Sequence, residues 1–286
     1  MDSIIQNRSG ETMQIEQHRL VNDDGSPVAF CESPNVGGTL AKPRYLVMHF
    51  TAGASAESSI DWLCSPDARA SAHVVVARSG AITQLVAFNK VAWHAGQSRW
   101  RGVVGLNQHS LGIEIDNAGG PLERVAGGWK AWFGRIYPDS EVLEAEHKFG
   151  GGLAGWQLYS PEQLMTVRSL AALLVRSYGL LDVIGHDDIA PTRKKDPGPA
   201  FPMASIRSAA MGRMESQDWQ GLTTTEVNIR KGPAVDYPKL DKSPLKRGTR
   251  LTIVGQEGKW LYVETLKPGG EPDLTGWVYG DYVAQA

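Results

Sequence analysis

What the chain has little of sets the first limits. Cysteine occurs only at Cys31 and Cys64, too few for a disulfide scaffold and in no Cys-x-x-Cys spacing. Both read as small buried residues, with a disulfide between them left open and the redox compartment undecided. No stretch approaches the roughly 18 consecutive apolar residues that a membrane span requires. Residues 1–8 have neither a basic n-region nor an apolar h-region, so no export signal is visible. Basic blocks are missing as well: 29 Lys and Arg against 31 Asp and Glu leave a formal charge of −2. A phosphate backbone calls for a concentrated basic surface, so nucleic acid is not an expected partner.

What is present is an ordinary globular composition, 42% hydrophobic and 21% charged, with 32 glycines that imply many turns and at least one long loop. At 286 residues the chain exceeds the size at which one core stops growing, which predicts a large domain and a small one.

The run Tyr45-Leu46-Val47-Met48-His49-Phe50 is apolar almost throughout, as a central strand covered on both faces would be, with His49 at its exit. Ser55 can cap a short helix holding Ile60, Trp62 and Leu63, which Ser65-Pro66 ends. A second strand is expected over 73–78. In Ser110-Leu111-Gly112-Ile113-Glu114-Ile115-Asp116 the apolar residues alternate with the others, the period of a half-buried strand whose Glu114 faces away from the core. Residues 117–159 are rich in glycine and aromatics without sustained period and read as a long functional loop or lid. The clearest helix starts at Ser160-Pro161-Glu162-Gln163, a capped start with proline at the first helical position, and runs to Tyr178 with Gly179 as its C-cap. Strands mixed with helices favour an α/β layer architecture up to about residue 210. A polar linker follows over 211–221. Beyond it, short strand-like runs at 227–230, 250–254, 260–264 and 276–279, with no helix signal, indicate a small all-β barrel.

Ionisable groups concentrate in Gly185-His186-Asp187-Asp188-Ile189-Ala190-Pro191-Thr192-Arg193-Lys194-Lys195-Asp196-Pro197-Gly198, which two prolines keep from being regular structure. His186 and Asp196 can converge with His49 as two imidazoles and a carboxylate, a ligand set that leaves the fourth tetrahedral position of zinc open. Such a site hydrolyses carbonyl compounds. Glu114 can take the proton of the attacking water and return it to the leaving amine. Lys194 can place an ammonium beside the developing oxyanion.

Five motifs in order, Leu46-Val47-Met48-His49-Phe50-Thr51-Ala52-Gly53, Ser71-Ala72-His73-Val74, Trp93-His94-Ala95-Gly96, Leu111-Gly112-Ile113-Glu114 and Gly185-His186-Asp187-Asp188-Ile189-Ala190-Pro191 with Arg193-Lys194 and Asp196-Pro197-Gly198-Pro199, resemble the type-2 N-acetylmuramoyl-L-alanine amidases, relatives of the peptidoglycan recognition proteins. The resemblance covers about residues 20–207. It implies a mixed central sheet flanked by helices, zinc ligands at His49, His186 and Asp196, a catalytic Glu114, a stabilising Lys194, and peptidoglycan as the partner, cut between the lactyl group of N-acetylmuramic acid and L-alanine. The insertion between Glu114 and the capped helix exceeds the minimal family pattern. Val227-Asn228-Ile229-Arg230-Lys231-Gly232-Pro233, Leu245-Lys246-Arg247-Gly248-Thr249, Gly258-Lys259-Trp260-Leu261-Tyr262-Val263 and Gly276-Trp277-Val278 resemble bacterial Src-homology-3-like (SH3-like) domains, many of which bind the cell wall. The expected organisation is a catalytic domain over 1–210, a linker over 211–221 and an SH3-like wall-binding domain over 222–286.

Other residues carry two readings. His73, heading an apolar run, is favoured as a hydrogen-bonded core residue over a place in the site floor. Trp93 and His94 stand between substrate contact and simple packing. His147 and Trp129 read as anchors of the long loop, His109 as solvated, and Asp187 and Asp188 as acceptors for backbone groups of a tight turn. Trp260, Tyr262 and Trp277 are either core of a small barrel or a ligand groove. Two further functions share the site: recognition without catalysis, and a zinc peptidase cutting within the stem peptide. A recycling amidase has little use for the tail. Action in the periplasm or outside, after phage lysis or dedicated secretion, fits a wall enzyme with no visible signal. Oligomeric state is open.

Overall fold

The computed structural model describes residues 13–211, 219–230, 235, 237, 239–257, 259–266 and 272–285. Residues 1–8 and most of the expected linker, 212–218, lie outside the described residues, as do the turn residues 231–233, 258 and 268–270. The chain divides into two compact units, Met1–Met211 and Gly212–Ala286. Among the described residues no helix is long and apolar enough to cross a membrane.

The elements that matter for the site are, in the first unit, β1 (Ala29–Phe30), β2 (Tyr45–Phe50), α1 (Ala56–Leu63), β3 (Val74–Val76), β4 (Ile82–Gln84), β5 (Ser110–Ile115), β6 (Glu123–Val125), β7 (Gly128–Lys130), β8 (Ile136–Tyr137), β9 (Val142–Glu146), β10 (Leu153–Gln157), α2 (Pro161–Tyr178), β11 (Asp182–Gly185), α3 (His186–Ile189) and α4 (Met203–Ala210). A six-stranded sheet runs in the order β11-β2-β5-β3-β4-β1. It is mixed: β11, β2, β5 and β3 are mutually parallel, and β4 runs antiparallel to β3.

The period-two geometry of strands decides which residues reach the site. Leu46 and Met48 of β2 join Leu111, Ile113 and Ile115 of β5 in one core, against Val167, Leu170 and Leu174 of α2. Tyr45 and Val47 point the other way, into a second apolar cluster with Leu106 and Ile184. His49 therefore shares the second face, as do Gly112 and Glu114. In the parallel register His49 and Glu114 are direct partners, on strands about 4.8 Å apart. A one-residue slip would turn every one of these side chains over. Each buried Leu or Ile is worth about 1.5–3 kcal/mol, so the apolar face locks the polar pair opposite one another.

The strand read as half-buried is covered on both sides; only Glu114 within β5 retains partial exposure. The reason is Gly112, where a Cβ would come within 2.6 Å of the His94 ring. A polar layer of histidines, not solvent, lies over that face.

Helix α2 forms as its sequence chemistry predicts. The Ser160 hydroxyl accepts from the Gln163 amide and Gln163 Oε1 accepts from the Ser160 amide, both at 3.1 Å. Such a cap is worth about 1 kcal/mol. Gly179 ends the helix at φ 61°, a conformation glycine adopts without steric cost. Gln163 Nε2 also donates to the Asp116 carbonyl at 2.7 Å, tying the helix start to the exit of β5.

Residues 117–159 are not a structureless lid. They form a three-stranded sheet β6-β7-β8 and a hairpin of β9 and β10, with a core of Leu122, Trp129, Tyr137 and Val142. Strands of two to five residues are too short to show a period, which is why the sequence reads as loop. Trp129 is buried and donates to Asp139, the anchoring role expected of it. The segment after Gly185 also departs from expectation, since His186 opens the one-turn helix α3.

In the second unit β12 (Trp219–Thr223), β13 (Arg250–Glu257), β14 (Trp260–Leu266), β15 (Pro272–Tyr279) and β16 (Val283–Gln285) pair in the order β15-β14-β13-β12-β16. β12 begins inside the stretch expected to be linker; its polar sequence hides a strand that pairs on both edges. The expected strand at 227–230 is reduced to isolated bridges, Val227 with Leu245 and Arg230 with Lys239 and Trp277. Val227, Ile229, Leu245, Leu251, Leu261, Val263 and Val278 make the core. Tyr262 and Trp277, paired across β14 and β15 with rings 5.0 Å apart, alternate with those core residues and so occupy the outer face with Trp260 and Tyr279.

Candidate metal centre

Three buried side chains from two chain regions converge at the exits of β2 and β11. His49 Nδ1, His186 Nδ1 and Asp196 Oδ2 lie 2.9 Å from one another in all three pairings. His49 ends β2, His186 follows directly on β11, and Asp196 returns through the proline-bounded loop. The loop is pinned where the Asp187 amide donates to the Asp196 carbonyl at 2.7 Å. It passes so close that a Cβ on Gly185 would meet Asp187 Oδ1 at 2.2 Å and Pro197 at 2.9 Å. Glycine is the residue that fits there.

The outward nitrogens decide what the inward ones can do. His186 Nε2 lies 3.2 Å from the Ala95 carbonyl, which only accepts, so that nitrogen carries the proton and Nδ1 is left with a lone pair. His94 Nε2 faces the Ser110 carbonyl at 3.5 Å and the Ser110 hydroxyl oxygen at 3.3 Å, and that hydroxyl donates to the Leu106 carbonyl. His94 thus donates from Nε2, leaving its Nδ1 to accept from His49 Nε2 at 3.0 Å. His49 Nδ1 is then bare as well. Two lone pairs and a carboxylate oxygen within 2.9 Å repel unless a cation lies among them, and outer hydrogen bonds of this kind are how metal-ligating histidines are held. The donor set fits a divalent metal.

Electrostatics agree with that reading. Burial, with the facing His186, holds His49 down at about 4, so at neutral pH it offers a lone pair without losing a proton. Burial, reinforced by His49, His73 and His186, keeps His94 well below its ordinary value. Asp196 is buried too, and without a cation only a proton on the His186 or His49 side offsets that cost and keeps its carboxyl below the ordinary carboxylate range. Glu114 behaves oppositely: burial, then the Asp196 charge, raises its carboxyl well above the usual value, opposed by the Lys194 ammonium. Glu114 Oε2 is shielded from solvent and has no hydrogen-bond partner among the described residues.

Residues 39–199, more than half of the chain, match the family profile described as N-acetylmuramoyl-L-alanine amidase. The chain belongs to that family. The amidase match takes in all five nominated residues, His49, Glu114, His186, Lys194 and Asp196. Among relatives, N-acetylmuramoyl-L-alanine amidase AmiD of Escherichia coli (strain K12) is 31% identical over 178 residues, which are 59% of this chain and 54% of that protein. The 1,6-anhydro-N-acetylmuramyl-L-alanine amidase AmpD of Salmonella typhimurium (strain SL1344) is 28% identical over 186 residues, 58% of this chain and 80% of that one. A solved complex of E. coli AmiD with the substrate anhydro-N-acetylmuramic acid-L-Ala-D-gamma-Glu-L-Lys aligns at 28% identity and a TM-score of 0.45, over 70% of this chain and 65% of that one. The match spans about half the length of the curated AmiD relative.

The remaining nominees of this amidase-family chain divide. Trp93 stays at the surface, 38% exposed, whereas His94 is 8% exposed and cannot be a surface substrate contact. Gly112 leaves room for its ring, and it supports His49 from behind. His73 is fully buried, with Nε2 on the Lys90 carbonyl and Nδ1 accepting from the Gly112 amide, the core role favoured for it. His109 is half-buried, not freely solvated. Asp188 accepts from the Gly185 amide at 2.9 Å as a turn aspartate does. Asp187 receives His147 Nε2 at 3.0 Å and Lys148 Nζ at 2.9 Å, and Lys148 Nζ also reaches Asp188 at 2.6 Å. Both partners come from the insertion, so the sequence reading missed that 147–148 clamp the residue next to His186. Their only local signal is a His-Lys pair just after a strand.

His94 carries a direct test. His94→Gln is expected to weaken divalent-metal affinity about 10–100-fold, measured by chelator competition, with the far-ultraviolet circular dichroism unchanged. Gly112→Ala pushes a methyl into the same ring and should shift affinity in the same direction.

Proposed function

We propose that this chain is a zinc-dependent N-acetylmuramoyl-L-alanine amidase acting on peptidoglycan, hydrolysing the amide between the lactyl group of N-acetylmuramic acid and L-alanine of the stem peptide. One observation carries the reading: the His49, His186 and Asp196 acceptors converge beside Glu114, the register partner of His49, whose Oε2 is unpartnered. Two imidazoles and one carboxylate are a hydrolytic zinc ligand set that leaves a coordination position free. Zinc, when bound, supplies Lewis acidity toward a carbonyl and toward water.

The chain's own groups do the rest. Glu114 Oε2 takes the proton of the attacking water and delivers it to the departing amine of L-alanine, a task suited to a carboxyl whose affinity for protons is raised. Lys194, close enough to act on both His49 and Glu114, offsets the negative charge that develops on the carbonyl oxygen. Asp196 stays anionic and would complete the ligand set with the two inward imidazole nitrogens. Trp93 remains the surface nominee for a substrate contact. The relatives' names speak for the same bond, and the AmiD complex holds a muramyl peptide of that kind.

The second unit is read as an SH3-like wall-binding module, supported by its five-stranded antiparallel sheet, its own small core and the outward aromatic pairs on β14 and β15. Tethering raises the local concentration of substrate, which favours polymeric wall over small recycled fragments, and action in the periplasm or outside is the setting proposed with it.

The test is to incubate the zinc-loaded protein and its metal-free form with purified peptidoglycan and identify released ends by mass spectrometry. Stem peptides beginning with free L-alanine, from the loaded form alone, are the expected result. Binding without release would favour recognition, and new ends inside the peptide would make it a peptidase.

A further inference from the structure

The segment between Glu114 and α2 carries an exposed tryptophan close to the site. Trp132 stands at the tip of a tight turn over 131–135, closed by Gly134 and Ala131 amides on the carbonyls of Ala131 and Arg135. The side chain is 80% exposed, yet it is not loose. Its Nε1 donates to the Ala52 carbonyl at 2.7 Å, and Phe133 meets its ring edge-on at 5.6 Å. The one polar group of the indole is therefore occupied, and what faces solvent is a fixed apolar face.

Ala52 is three residues from His49, a chain reach of at most about 10 Å. Beside it lies a small polar depression of about 100 Å³, bordered by Gly53, Arg78, Asp116, Arg135, Tyr137 and Glu141. Arg135, which belongs to the same turn as Trp132, lies over the Tyr137 ring at 4.9 Å. Two guanidinium groups and two carboxylates leave this border without net charge. A stem peptide carrying free carboxylates finds no excess of cations here. Neutral hydroxyl and acetamido groups, each able to donate and accept, find both kinds of partner beside a flat apolar surface.

We propose that Trp132 is a carbohydrate platform, on which a pyranose ring of the glycan strand stacks while its hydroxyl and acetamido groups meet the neighbouring polar cleft. The assignment rests on the amidase reading only for the identity of the glycan, and the insertion then gives this chain a grip on polymer that a bare catalytic cleft lacks.

The test uses the full chain free of metal, so that no bond is cut and failure of hydrolysis leaves the result untouched. The probe is a peptide-free tetrasaccharide of alternating N-acetylglucosamine and N-acetylmuramic acid, added to uniformly ¹⁵N-labelled protein. The Trp132 indole resonance, assigned by its loss in Trp132→Phe, is expected to shift and saturate, and a line-shape titration of the Arg135 and Tyr137 amides in Trp132→Ala should give at least tenfold weaker binding at this site. A Trp132 signal that ignores the saccharide, or moves only with the isolated stem peptide, overturns the proposal, as does an affinity at these amides unchanged in Trp132→Ala.

Discussion

Glu114→Gln is expected to slow stem-peptide release by about 10²–10⁴-fold, the usual worth of a positioned acid–base group, while zinc content stays at the wild-type level. The separation follows from geometry: Glu114 is the register partner of His49 but makes none of the three close contacts among His49, His186 and Asp196. Single-turnover rates with zinc content measured on the same samples check it, and a variant that loses its metal would remove Glu114 from the role assigned. The same substitution reports on charge burial. Glu114 is raised in the folded protein by burial and by Asp196, so the fold binds this proton more tightly than the unfolded chain does. Its contribution is fully present below the unfolded pKa and is lost as pH rises through the folded value. Metal-free wild type should therefore lose stability relative to Glu114→Gln as pH rises from the ordinary glutamate range, read as diverging urea midpoints.

How far such roles can be seen in the residues alone depends on whether their causes are local. Helix α2 is legible because its start is decided by Ser160, Pro161 and Gln163 within four positions and its end by Gly179. The central position of β2 is legible from an unbroken apolar run. The convergence of His49, His186 and Asp196 can be nominated because hydrolytic zinc chemistry asks for that donor set, and the structure brings the three together. His94 is legible only in part. Nothing near it in the chain says that Gly112, eighteen residues on, leaves a space its ring fills, so the sequence leaves it divided between packing and substrate contact. The insertion fails for a different reason: its strands β6 to β10 are held by cross-chain pairing and by Trp129, Tyr137 and Val142, not by period. Likewise, Trp219-Gln220-Gly221 has the polarity of a linker and becomes a strand only because β13 and β16 flank it.

Asp196→Asn should act on the metal where Glu114→Gln acts on the proton. Removing an outer partner of a ligand typically costs 10–100-fold in affinity, and Asp196 contacts both inward nitrogens directly, so a loss of more than about 100-fold is expected by chelator competition. Stability gives an independent reading. A ligand that binds only the folded state at 100 times its dissociation constant adds about 2.7 kcal/mol; zinc should raise the melting temperature of wild type and leave Asp196→Asn nearly unmoved. Without metal the order depends on pH in a way that the site's charges dictate. Asp196 is buried, yet in the metal-free protein pairing with a proton on the His186 or His49 side depresses it below its unfolded value, so its stabilising effect exists above the ordinary aspartate range and is lost as pH falls through the folded value. Metal-free wild type should accordingly be the more stable of the two at neutral pH, with the gap closing in strong acid. If Asp196→Asn instead keeps its zinc-dependent melting shift, the carboxylate is not a ligand, and the repulsion among the three inward acceptors must be relieved by a proton shared between the two imidazoles.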